Sequence, residues 1–284
     1  FFCYFTALKS ACIFMPLRFR LLRFRYWAVS LMLIFLVSAV QAQEEDFYNL
    51  LSEGTSVNSF LRPQNSGRML PFAGNETINK KRLDAAVASK NDKVIIVSAG
   101  NLGLICLKKE NATAALKYFK QSLEAAERIH NEKATGIATV QCGIAEYQLR
   151  NYDNALKYFQ QGLGSIERQQ LTKVVPFVNA QIGQCYNARH DSRAEEYFLK
   201  AAKGFAVNGQ KVQAAACYNS AGEMDLRNND FKRATESFNN ALNLISTSKE
   251  NTLKAVLYRN LGLTDFKRGR FEAAIVSFQK SLSF

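Results

Sequence analysis

Glycine recurs along this chain at a nearly fixed interval, at Gly103, Gly143, Gly183, Gly222 and Gly262. The spacings are 40, 40, 39 and 40 residues. Alanine keeps the same register at Ala115, Ala155, Ala194, Ala234 and Ala274. Four residues after each comes Phe119, Phe159, Phe198, Phe238 or Phe278. Four further on stand Leu123, Leu163, Leu242 and Leu282, with Ala202 in the third copy. Five copies in one register define a repeat. Ala, Phe and Leu spaced by four lie on one face of a helix. Between each Gly and Ala lies a polar turn: Lys109-Glu110-Asn111, Arg150-Asn151, His190-Asp191, Asn228-Asn229-Asp230 and Arg268-Gly269-Arg270. The pattern therefore predicts two helices joined tightly, five times over, with almost no strand. The one missing residue falls in the turn from Ala188 to Arg193. Pro176 stands at the start of the third copy's first helix, where its missing N–H is harmless. Gly inside a helix costs up to about 1 kcal/mol against Ala. We expect that cost where two helices come close, with the Ala supplying the matching small contact and the Phe filling wider space beyond. Each pair leaves an apolar face uncovered, so the pairs must stack.

These residues resemble the tetratricopeptide repeat. Leu102-Gly103, Ile182-Gly183 and Leu261-Gly262 match that family's Leu-Gly pair, with Cys142-Gly143 and Ala221-Gly222 as looser versions. The Ala-x-x-x-Phe element matches in all five copies. The resemblance implies an all-α fold, a right-handed superhelical solenoid of helix-turn-helix repeats. It covers residues 78–284 as half a repeat plus five, the half being the segment around Leu83-Asp84-Ala85-Ala86, read as a lone second helix. The usual repeat has 34 residues and a terminal Pro. Here the period is 40 and the Pro is missing, which looks like the longer-helix variety of bacterial signalling proteins. An acid follows the Gly by three in three copies (Glu146, Asp225, Asp265), where the family favours Tyr. We read these acids as paired with nearby Lys or Arg, a ligand-facing acidic ladder being the alternative.

Ahead of the repeats the chain reads as an address. From Met15, four arginines (Arg18, Arg20, Arg23, Arg25) precede an apolar run from Trp27 to Val40, and Val40-Gln41-Ala42 fits signal-peptidase cleavage. Residues 15–42 are thus read as a signal peptide, with an uncleaved anchor as the alternative, and residues 1–14 as upstream of the true start. Residues 43–77 are dotted with Gly54, Pro63, Gly67, Pro71 and Gly74 and show no sustained period, so an irregular segment is expected. The fifth copy ends at Ser281-Leu282-Ser283-Phe284 without a capping helix. We therefore expect the repeat domain to be C-terminally incomplete and apolar area to be exposed around Phe266, Ile275, Phe278 and Leu282.

Composition narrows the chemistry. Hydrophobic residues are 48% and charged residues 21%, which excludes a disordered chain. There are 37 basic and 24 acidic residues. Five of the basic and none of the acidic lie in the first 42, so the remainder carries a surplus of only eight. That permits an acidic partner without demanding one. The two histidines, His130 and His190, fall in different turns. Cys106, Cys142, Cys185 and Cys217 all fall on first helices, with no zinc-ligand spacing among them. They read as small buried residues, though an oxidising compartment would allow a Cys106–Cys142 bridge. No nucleophile elbow, phosphate loop or metalloprotease motif occurs, so neither catalytic residues, metal nor cofactor are expected. Lys93, Lys133 and Lys173 recur at intervals of 40, as a solvated repeat position or as a basic stripe for an anionic partner.

The resemblance implies that first helices line the concave surface. The residues expected there are Asn101, Lys108, Gln141, Gln148, Gln181, Gln184, Asn187, Asn219, Glu223, Arg227, Arg259, Asn260 and Lys267. The positions matching the carboxylate clamp of some family members are Gly100, Leu104, Val140 and Ile144, which cannot form it. We therefore expect a non-catalytic scaffold for a protein or peptide partner, exported to the periplasmic or extracellular side of a bacterial membrane. Nucleic acid is not an expected partner, and membrane contact would run only through the signal or a missing C-terminal region. The alternative is the extracytoplasmic sensor region of a larger signalling protein, such as a membrane histidine kinase.

Overall fold

In the computed structural model, residues 76–284 are described, apart from Lys249. The signal-peptide reading of residues 15–42, the residues before it and nearly all of the irregular segment lie outside the described residues. Among the described residues eleven helices follow one another: α1 (Glu76–Ala88), α2 (Asp92–Lys108), α3 (Ala112–Arg128), α4 (Glu132–Gln148), α5 (Tyr152–Arg168), α6 (Val175–Ala188), α7 (Arg193–Val207), α8 (Lys211–Arg227), α9 (Phe231–Leu244), α10 (Asn251–Lys267) and α11 (Phe271–Leu282). No strand occurs among the described residues. Each helix packs on the one before and the one after, and α2 also touches α4, α4 touches α6, and α8 touches α10. The architecture is an all-helical solenoid of five helical pairs. First helices (α2, α4, α6, α8, α10) lie beside first helices, with α1 stacked on α2 ahead of them. Leu83 and Ala86 of α1 share one core with Ile95, Ile96, Ala99 and Leu102 of α2 and Ala125 and Ala126 of α3.

The joints repeat as regularly as the helices. Among the described residues, nine of the ten joints hold one residue in the left-handed region, all but that between α9 and α10: Lys90, Glu110, His130, Arg150, Gln170, His190, Gly209, Asn229 and Gly269, with φ between 50° and 76°. Its N–H and the next one turn back onto the closing helix. Glu110 N–H donates to the Leu107 carbonyl at 2.9 Å and Asn111 N–H to that of Cys106 at 2.9 Å. This satisfies carbonyls that would otherwise be orphaned at the helix end. The same Asn then caps the next helix. Asn91, Asn111 and Asn131 accept from the N–H groups of Val94, Ala114 and Ala134, and Asp230 from that of Arg233. A three-residue joint thus finishes one helix and starts the next in most of the stack. The third pair is a residue short after His190, where Asp191 takes over. Its carboxylate accepts the Arg193 backbone N–H at 3.0 Å and the guanidinium at 2.6 Å, and Arg193 also lies 4.3 Å over the Tyr186 ring. These bonds from Arg193 hold the Asp191 carboxyl down to about 2.

The structure corrects the expected use of the glycines. It is the Phe ring, not the Ala, that occupies the space of the missing Cβ. A methyl group on Gly143, Gly222 or Gly262 would stand 2.7 Å from the ring of Phe159, Phe238 or Phe278, and one on Gly183 2.9 Å from that of Phe198. Gly103 meets Phe119 in the same way. The alanines are buried separately in every second helix. Four of the five rings are fully enclosed, because the next repeat's first helix closes over them. Phe278 is half-buried, while Phe266, Ile275 and Leu282 are exposed.

All four described cysteines are buried free thiols on first helices. Burial pushes the thiols of Cys142 and Cys185 up to about 12, and raises Cys217 as well. A shift of that size leaves about a thousandfold less thiolate at neutral pH. We predict that mass-resolved labelling of the native protein leaves Cys142, Cys185 and Cys217 unmodified, while the denatured chain reacts at all three. Rapid native labelling at any of them would contradict this packing.

Candidate binding surface

The thirteen residues placed on the first helices by sequence divide three ways. Gln141, Gln181, Gln184, Asn219 and Asn260 are buried. Asn101, Gln148, Asn187, Glu223 and Arg259 are half-buried, and Lys108, Arg227 and Lys267 are exposed. The amide-rich row is therefore largely inside the stack. The Gln141 Nε2, Gln181 Oε1 and Gln184 Oε1 atoms are buried without a hydrogen-bond partner among the described residues. Val140, taken as a clamp position, is also turned inward. Its methyl group stands where a Cβ on Gly162 of α5 would be, at 2.6 Å.

In the third to fifth pairs the structure brings the polar residues into contact. Asn219 Nδ2 donates to Glu223 Oε1 at 2.9 Å, one turn along α8. From α10, Asn260 Nδ2 donates to Asn219 Oδ1 at 2.9 Å and to Glu223 Oε1 at 3.0 Å. Arg259 reaches Asn260 Oδ1 at 3.3 Å through Nη2. On the other side, Arg227 of α8 donates to Asn187 Oδ1 of α6. Burial raises the Glu223 carboxyl above its usual range, opposed by the bonds from Asn219 and Asn260 and by the charges of Arg259 and Arg227. Burial likewise lowers Arg259, with Glu223 opposing. The arrangement spans three consecutive first helices and leaves Arg227 facing solvent. Single-residue reading missed it, because its members come from two phases of the repeat. Asn219 precedes its Gly by three and Asn260 by two, and only the packing of α8 on α10 sets them side by side.

Two of the acids that follow the Gly by three, Glu146 and Asp225, face the second helices. Glu146 is buried and its Oε2 accepts from Asn151 Nδ2 at 2.8 Å, so its partner is an amide and not the expected Lys or Arg. It forms part of an open depression with Lys120 of α3 and Asn154, Lys157, Tyr158 and Gln161 of α5. Asp225 lies 3.7 Å from Arg233 of α9. Asp265 is half-buried. Among the described residues there is no group of three or more His, Cys, Asp or Glu able to hold a metal ion. No described helix is long and apolar enough to cross a membrane.

Comparison with known proteins agrees with this geometry. The tetratricopeptide repeat family model matches residues 94–167, which span most of the first two helical pairs. The same Gly–Phe contact recurs in all five pairs, so the packing of the stretch that matches the tetratricopeptide repeat continues through the later pairs. Among solved structures it is similar to BtubC (BKLC) from P. vanneervenii, at 16% identity and TM-score 0.63, over 73% of this chain and 88% of that one. It is also similar to a Signal Transduction ATPase with Numerous Domains protein with a tetratricopeptide repeat sensor from Pyrococcus horikoshii. That match has 16% identity and TM-score 0.66 over 86% of this chain, and spans only 39% of the archaeal protein. MamA from Desulfovibrio magneticus matches at 16% identity and TM-score 0.51, over 66% of this chain and 94% of that one. At such identities the likeness is one of fold. No curated protein sequence matches the chain. Tetratricopeptide repeats suggest a protein-binding scaffold.

Proposed function

We propose that the chain is a non-catalytic scaffold that holds a protein or peptide partner on its first helices, outside the cytoplasm. The observation that carries the reading is the bonded row Asn187–Arg227 and Asn219–Glu223–Asn260–Arg259. Buried Asn219 and Asn260 brace it, and half-buried Asn187, Glu223 and Arg259 with exposed Arg227 offer an amide, a carboxylate and cations across three consecutive repeats. An extended segment needs such groups at regular intervals, because its own backbone N–H and C=O groups must be satisfied when it leaves water. Fixing them on a rigid stack limits the ordering cost of binding.

A photo-crosslinking amino acid at position 187 or 227 tests this, with the exposed position Lys157 on α5 as control. Adducts of discrete mass from 187 and 227 but not from 157 are expected, those from 187 being lost on Arg227→Glu. Identical adducts from all three positions would remove the assigned surface. The export reading rests on the basic and apolar run ending at Ala42. Mature protein beginning at Gln43 is the expected result of N-terminal sequencing, and a membrane-held product beginning at Met15 would favour an anchor instead.

A further inference from the structure

Two rows of cations mark the ends of the first helices, and they have opposite physical meanings. Lys108, Arg227 and Lys267 are the last residues of α2, α8 and α10, where a positive charge faces the negative end of the helix dipole. Their stability role is sufficient reason for them. Lys93 and Lys133 stand at the second position of α2 and α4, and Lys173 two residues before α6. There a positive charge meets the positive end of the dipole, an unfavourable placement repeated in three successive pairs. All three lysines are exposed. None takes part in an ion pair among the described residues. The neighbouring acids are already engaged. Asp92 holds Arg128 at 2.6 Å, and Glu132 accepts from Gln169 Nε2 at 2.6 Å. Between Lys93 and Lys133 lies an open depression of about 520 Å³, lined also by Ile129, His130, Asn131, Gln169 and Glu132, the last already bonded to Gln169.

We infer that this rim, at the joints between repeats, is a second interaction surface that takes an acidic protein segment in extended form. It is separate from the first-helix row and does not depend on that row's function. First helices in contact lie roughly 10 Å apart, so the three lysines form a ladder with about that rise. An extended chain in the polyproline II form advances about 3.1 Å per residue with about three residues per turn, so carboxylates at every third residue share one face and match the ladder. The depression between the first two lysines admits the intervening side chains, and Asn131 and Gln169 supply amides beside it. Such a segment replaces the missing counter-charges at the three helix starts.

The test uses the full chain and two fluorescent twelve-residue peptides of equal charge, one with Glu at every third position and one with the same Glu residues clustered. Binding is read by fluorescence anisotropy at several salt concentrations. The spaced peptide is expected to bind more tightly than the clustered one, with affinity falling as salt rises. Lys93→Glu/Lys133→Glu/Lys173→Glu is expected to lower affinity by about tenfold or more without lowering the melting temperature, since exposed rim charges act on association and an acid suits a helix start. A Lys→Gln version of the triple variant repeats the measurement should charge reversal disturb folding. Equal binding of both peptides, or undiminished binding by the variants, would overturn the inference. So would binding to vesicles containing anionic lipid with no binding to either peptide, which would make the rim a membrane-facing surface.

Discussion

Phe159→Ala is expected to destabilise the protein by about 3–5 kcal/mol, the usual range for emptying a buried aromatic site. The ring is fully enclosed, and its edge fills the space beside Gly143 that a Cβ would need. Gly143→Ala is expected to destabilise as well, although Ala is by about 1 kcal/mol the better helix former. The added methyl group would stand 2.7 Å from a ring with no room to retreat, and overpacking of that kind costs about 1–3 kcal/mol. The informative variant is the pair. Gly143→Ala with Phe159→Leu exchanges ring volume for a methyl group on the facing helix, so the two changes should cost less together than their sum. Urea unfolding followed by circular dichroism measures Phe159→Ala, the pair, and both of the pair's single variants, Gly143→Ala and Phe159→Leu. In a stacked repeat protein the loss should be greatest in the second pair and its neighbours, because each repeat is stabilised through adjacent interfaces. A Gly143→Ala midpoint equal to or above the parent's, or strict additivity of the pair, would show that Gly and Phe are not a mutually fitted contact.

That contact shows where sequence reading reaches and where it stops. Period and register gave every helical pair, because the Gly, Ala and Phe positions are fixed by packing that is the same in each copy. The partner of the Gly was misassigned for a related reason: a one-dimensional period orders residues along a helix but does not say which of two buried neighbours points across. The joints were legible as polar turns, but not as left-handed residues. Seven of the nine positions carry Lys, Glu, His, Arg, Gln or Asn instead of Gly. His and Asn adopt that conformation more readily than most side chains, which gives His130 and His190 a structural reason to stand there. The buried glutamines expose the same limit at the candidate surface. Gln141 and Gln181 occupy one repeat position, but their enclosure depends on how first helices close on one another. The polar network was legible as residues and not as a network, since the bond from Asn260 to Asn219 joins two different repeat positions.

Asp225 yields the sharpest pH-dependent expectation, because it is a buried acid poorly matched to its surroundings. Only 2% of it is exposed, one carboxylate oxygen lies 3.7 Å from Arg233, and the other has no hydrogen-bond partner among the described residues. Arg233 is itself drawn to Glu195 of α7. Burial, and then the negative charges of Asp230 and Glu236, push the carboxyl up from 3.8 to about 6. The folded chain therefore holds this proton more tightly than the unfolded chain does. Between about pH 4 and pH 6 the contribution of Asp225 to stability declines as pH rises, and above pH 6 the full penalty is present. Asp225→Asn removes the charge and keeps the shape. At about pH 7.5 it is expected to raise stability by about 1–2 kcal/mol, less than the shift alone implies because the partial interaction with Arg233 is lost too. The gain should fade as pH falls below about 4, where Asp225 is protonated in both states. Chemical denaturation of parent and variant across this range measures the difference directly. An Asn variant less stable than the parent at neutral pH would mean that the attraction of Arg233 outweighs burial. The acid would then be a stabilising half of an ion pair between α8 and α9, contrary to the geometry that leaves one of its oxygens unmatched.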